Sequence, residues 1–260
     1  MSISSSSRIS SDGVQDSTDL TTESSTSSDF SALLSYEIMA LSTTEPLTTT
    51  ELKSLTSTEV GELNAVQLAA LTSTQLALLT TKQIKGLTGD QIAALTTTQL
   101  RGLTATQMAA LTMTAVSGLT TTQIATLTTT QIKGLTATAV SELTLTQIAA
   151  LSARQLAELT TAQIKGLTYT DVYELTVTEI AALTSTQLGA LTSTAIGGLT
   201  TTLIAALTTT QIKGLTSTGV SKLTLTQVAA LSAVQLAALT TTQIKGLTST
   251  DVSELTVTEM

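Results

Sequence analysis

From Leu47 to Leu255 a leucine stands at every eighth residue, through twenty-six steps and without one insertion. An ordinary domain has connections of varied length, so it cannot keep such a frame. A stack of equivalent units requires one. The unit reads Leu-Thr-x-Thr-Gln-Ile-x-x. Its second residue is Thr except at Asn64, Ser152 and Ser232, and its sixth is always Ile, Leu, Val or Met. The fifth is mostly Gln, sometimes Glu or Asp, with exceptions at Ala115, Ala139, Ala195, Leu203 and Gly219. "LTTTQIKG" recurs at Leu127, Leu207 and Leu239, with near copies at Leu79 and Leu159. The starts at 79, 159 and 239, and those at 127 and 207, are 80 residues apart, so ten octads form a longer duplicated block.

Thr240 to Leu247 gives the local reading. Thr240 followed by Gln243 is a capping box: the hydroxyl accepts the amide of the third helical residue, and the Gln side chain reaches back to the cap amide. Ile244 and Leu247, three apart, share a helix face. Each octad then predicts a capped helix of two turns or less, roughly 10 Å long. One continuous helix is disfavoured, because an eight-residue repeat advances its apolar residue by about 80° each time and builds no stripe. Disorder is disfavoured by two large aliphatics per octad. A β-solenoid is the alternative, since Thr, Ile and Val suit strands. Leu and Ile at spacings of five and three, however, do not keep to one face of a two-residue period. The expected fold is therefore an all-α solenoid of very short helices.

A longer period lies beneath the octad. Counted every sixteen residues, the eighth position is Ala70, Gly86, Gly102, Gly118, Gly134, Ala150, Gly166, Ala182, Gly198, Gly214, Ala230 and Gly246. In the intervening octads bulk and charge are admitted, as at Leu78, Glu142, Glu158 and Glu174. The expected layer is sixteen residues, two helices with unlike surroundings. The small residue serves either as a left-handed C-cap, which Gly supplies, or as a close backbone contact, which Ala also permits; the freely occurring Ala favours contact. The candidate close-packing positions are Gly86, Gly102, Gly118, Gly134, Gly166, Gly198, Gly214 and Gly246.

Before the array, residues 1–30 are Ser/Thr-rich with almost no large apolar side chain, which predicts a flexible tail. Residues 31–46 read as a degenerate repeat and connector, punctuated by Pro46. Residues 47–260 are the solenoid.

The Leu-Thr-x-x-Gln motif resembles the helix starts of small periplasmic stress chaperones and the openings of TAL-effector repeats, over five residues at a time. The array from Leu47 to Met260 as a whole resembles the tandem Thr/Gln octads of large bacterial secreted or surface proteins. That resemblance implies an extracellular or cell-surface structural role. Residues 1–30 have no basic start followed by an apolar stretch, so the expected route uses no cleaved N-terminal signal peptide.

Composition narrows the chemistry. The net charge of −8 disfavours nucleic acid as a partner. With no Cys and no His, a zinc site lacks its usual ligands. "TGDQ" at 88–91 lacks the ligand series of a calcium loop. No apolar run is long enough to span a membrane. No cofactor, metal or enzymatic activity is expected. Glu142, Glu158 and Glu174, sixteen apart, predict an acidic row along one solvated surface. Lys85, Lys133, Lys165, Lys213 and Lys245 share the seventh position, where they suit a helix C-terminus. Tyr169 and Tyr173 form a small aromatic spot.

The leading functional expectation is a subunit that assembles head to tail with itself into a fibre, with cell-surface or matrix components as further partners. It rests on an array that stops in mid-octad at Met260 with no polar cap. Leu33, Leu34, Ile38, Met39, Leu255, Val257 and Met260 are the candidate end-to-end interface. The alternatives are a monomeric stalk of a surface adhesin, and a solenoid that binds a glycan, peptide or ice through its Lys or Thr face.

Overall fold

The computed structural model describes residues 47–247, all within one compact unit. Among them there are 25 helices and no strands, each helix four to six residues long. The chain is a solenoid of short helices, not of β-rungs. The first four are α1 (Thr49–Ser54), α2 (Ser57–Glu62), α3 (Ala65–Ala70) and α4 (Ser73–Leu78); the series closes with α25 (Thr241–Ile244).

Each octad explains its own helix. The second residue is the N-cap in extended geometry, as at Thr80 with φ −70° and ψ 158°. Its side-chain oxygen accepts the amide of the fifth residue, and twenty of the 25 helices complete the reciprocal box. The sixth residue closes one helical bond onto the cap carbonyl, as from Ile84 to Thr80 at 2.9 Å. The first leucine is extended and ends the preceding helix, as Leu79 does with ψ 136°. It therefore stands one residue before the cap and the sixth residue stands at N4, the two positions that form a hydrophobic staple. Both face the core: Ile84 is fully buried and Leu79 is nearly so.

Stacking follows a step of three. Every helix packs against the third before it and the third after it, wherever both are described. Hydrogen bonds between turns join residues 28 to 31 apart. One superhelical turn thus takes between three and four octads, and the two-helix layer of sixteen residues does not form. The sixteen-residue alternation nevertheless has a place in this geometry. A step of three is odd, so each small-residue octad packs onto an octad of the other kind.

That contact is close. A Cβ built on Gly134 would stand 2.5 Å from the Ala105 carbonyl oxygen, 29 residues earlier. Gly86 meets the Ser57 carbonyl and Gly214 the Ser185 carbonyl more tightly still. Gly102 and Gly118 have φ of −70° and −74°. Left-handed geometry is thus not what selects glycine there; the facing backbone is.

Replacing Gly134 with Leu should destabilise the fold by about 1–3 kcal/mol or more through overpacking. Thr126→Leu, at the same position in the other kind of octad, should cost much less, since Leu78 occupies that position half in solvent. Urea unfolding followed at 222 nm compares the two, and equal effects would contradict the packing described.

Candidate functional site

Glutamine at the fifth position is the central polar group of the array. From Gln83 to Gln243 every such glutamine is buried. Gln131 shows what each does. Its Oε1 accepts the Thr128 amide at 3.1 Å and the Thr128 hydroxyl at 3.1 Å. Its Nε2 donates to the carbonyls of Leu100 at 2.7 Å and Leu103 at 2.9 Å. Those carbonyls lie 31 and 28 residues back, at the end of the helix four places earlier. The last carbonyls of a helix have no partner within it, and this amide supplies one. Gln163 repeats the pattern to Ile132 and Leu135, both at 2.6 Å, and Gln243 to Ile212 and Leu215 at 2.7 and 2.6 Å. One side chain therefore starts a helix and finishes another on the neighbouring turn.

Departures from glutamine show what the position demands. Ala115, Ala139, Ala195 and Leu203 are buried and apolar there, and Gly219 is buried against Ile196. Their helices keep the threonine cap without the reciprocal box. Glu51, Glu59 and Glu179 keep the box through a carboxylate, which cannot donate to a carbonyl, and all three stay partly exposed. Asp171 is buried, and its shorter carboxylate accepts only from Thr168. The Thr48 amide, then the Thr48 hydroxyl, holds the Glu51 carboxyl below its ordinary range.

The surface carries little organised chemistry. Glu142, Glu158 and Glu174 do not form one row, because sixteen residues carry the chain more than half-way round a turn of 28 to 31. Lys133 forms an ion pair with Glu158, 25 residues on, and Arg101 Nε donates to the Thr126 carbonyl at 3.3 Å across the same step. The Lys133 hydrogen bond and charge, with the charge of Arg154, hold Glu158 below the usual carboxylate range. Lys85, Lys165, Lys213 and Lys245 are exposed. Tyr169 and Tyr173 stack at 6.2 Å between ring centroids and are about half exposed, with Gly197 beside the Tyr169 ring. The second-position threonines are occupied as caps. Gly166, Gly198 and Gly246 lie against the backbone of Ala137, Tyr169 and Ser217. Leu33, Leu34, Ile38, Met39, Leu255, Val257 and Met260 lie outside the described residues, as do the tail and connector boundaries. Among the described residues no group of three or more Asp or Glu is placed to hold a metal, and no helix is long and apolar enough to cross a membrane.

Comparison with known families agrees with this frame. Residues 62–97 match the family model described as the ALTTAQ repeat. The match takes in Ala70-Leu71-Thr72-Ser73-Thr74-Gln75, where that six-letter string falls on the last residue of one octad and the first five of the next. The chain is thus a tandem repeat of the LTxxQ type. No curated protein matches it.

The threonine caps were legible as Thr-x-x-Gln. The inter-turn amide was not, although one signal pointed to it. A capping box is served equally by Glu or Gln, so the excess of Gln already implied a donor with work of its own.

Two tests follow. Gln131→Glu keeps the cap acceptor and sets a carboxylate against two carbonyls. It should destabilise at neutral pH by about 2–4 kcal/mol. Burial there raises the folded pKa above the unfolded ~4.3, so the charge penalty is absent below the unfolded pKa and grows until pH reaches the folded one, while the single O–H of the protonated form leaves one carbonyl without its donor. Stability of this variant should therefore recover in part on acidification. Glu51 behaves oppositely: its folded pKa is lowered, so its contribution is full above the unfolded pKa and is lost as pH falls through the folded one. Glu51→Gln should accordingly flatten the acid limb of a melting-temperature profile between about pH 5 and 2. An unchanged profile would contradict the cap assignment.

Proposed function

We propose that this protein is a non-enzymatic structural element that associates head to tail with copies of itself into an extracellular or cell-surface fibre. The observation that carries the reading is the polarity of the inter-turn contact. Each turn offers glutamine amides on one side and helix-end carbonyls on the other. Such a contact is heterologous, and a heterologous contact propagates rather than closes. Among the described residues every buried side-chain polar atom is hydrogen-bonded, which supports a scaffold whose polar groups are spent on holding itself together. The likeness of the Thr/Gln octads to those of bacterial surface proteins supports a place outside the cell.

A monomeric spacer is the second reading, favoured by one observation. Glu51 and Glu179 hold the glutamine position with carboxylates that cannot donate to a preceding turn, so not every turn presents a donor for association. Negative-stain microscopy and light scattering of the full chain at micromolar concentration separate the readings. Fibres that lengthen with concentration are expected; a sharp monomer under the same conditions would leave the spacer.

A further inference from the structure

The described residues contain two arginines, Arg101 and Arg154, 53 positions apart in sequence, and both line one open groove of about 400 Å³. Arg154 stands at the fourth position, where Thr is standard, and Arg101 is the one arginine at a seventh position. Thr126, Thr128, Thr129 and Ser152 line the walls between them, with the Thr126, Thr128 and Ser152 hydroxyls already hydrogen-bonded to their own helices. Arg101 spends only its Nε on the Thr126 carbonyl, which keeps the side chain in place and leaves both Nη groups for a ligand. Glu158, four residues along from Arg154, is ion-paired with Lys133 and feels the Arg154 charge only as the smallest influence on its carboxyl.

The duplicated block supplies an internal control. Eighty residues on, Leu207, Thr208, Thr209, Ser232 and Gln235 repeat the frame of Leu127, Thr128, Thr129, Ser152 and Gln155, while Ala181 and Val234 stand in place of the arginines. Helices form there with the same caps, and Val234 is 70 % exposed. The scaffold therefore does not need either guanidinium. Their occurrence together at one groove, in a chain of net charge −8, calls for another cause. A guanidinium presents a planar fork of donors matched to the oxygens of an anion.

We propose that the groove between Arg101 and Arg154 binds an oxyanion of the sulfate or phosphate type. The inference is independent of self-assembly. The groove's openness admits the free ion, a sulfated sugar or an anionic lipid headgroup, which share this chemistry.

The test uses the full chain. Inorganic sulfate, inorganic phosphate and a sulfated disaccharide are titrated by calorimetry at fixed ionic strength. Vesicles of phosphatidylcholine with phosphatidylglycerol are assayed by co-sedimentation. Saturable binding to at least one probe is expected, weakened roughly tenfold or more by Arg101→Ala or Arg154→Val and lost in the double variant. Both substitutions install the residues of the second copy, so the fold should persist, with circular dichroism as the check. Lys213→Ala should bind as the wild type does. The probe bound most tightly identifies the source of the anion. No saturable binding to any probe, or binding that survives the double variant or falls equally with Lys213→Ala, would overturn the proposal.

Discussion

A primary amide fixed at both ends holds this solenoid together. The glutamine oxygen accepts at the start of its own helix, and the nitrogen donates to the end of a helix one turn earlier. Helices of four to six residues leave most of their backbone groups without an internal partner. Isolated helices so short do not persist in water. Here one side chain, whose two halves have opposite hydrogen-bonding character, pairs the cap amide at one helix start and two carbonyls at another helix's end. The desolvated amide is fully used, which is the condition for placing a polar group in a core. A carboxylate meets half of that condition, and the glutamates at this position remain partly in solvent.

The second constraint is steric. Neighbouring turns approach until a backbone carbonyl occupies the space of a side chain, as at Gly134 against Ala105. The alternation of small and unrestricted octads fits helix packing at an odd step, because each such close contact then joins unlike units. Apolar packing completes the picture: from Leu52 to Val228 the sixth-position Ile, Leu, Val or Met is buried with the first-position Leu. Hydrophobic burial supplies the bulk of the driving force, while the amide ladder and the close backbone contact fix where each turn must sit.

Some of this architecture is legible in residue order. Thr-x-x-Gln identifies a helix start because both partners of a capping box lie three residues apart, a local relation that the sequence displays directly. The Gly/Ala alternation marks a close approach for a similar reason, since only small residues tolerate it. The expected acidic row at Glu142, Glu158 and Glu174 failed because it presumed that sixteen residues return the chain to the same side. The pairing of Arg101 and Arg154 at one groove was equally hidden, being a relation between turns.

The octad by itself determined the length of each helix, its cap, its two large apolar core residues and the helical rather than extended form of the described residues, because these follow from relations within about eight positions. The tertiary structure alone decided how many octads make a turn, which carbonyls receive each glutamine amide and which surface groups become neighbours. Those depend on the angle at each extended leucine junction and on the fit of unlike octads. The accepting group, a backbone carbonyl, is common to every residue and leaves no mark in the sequence.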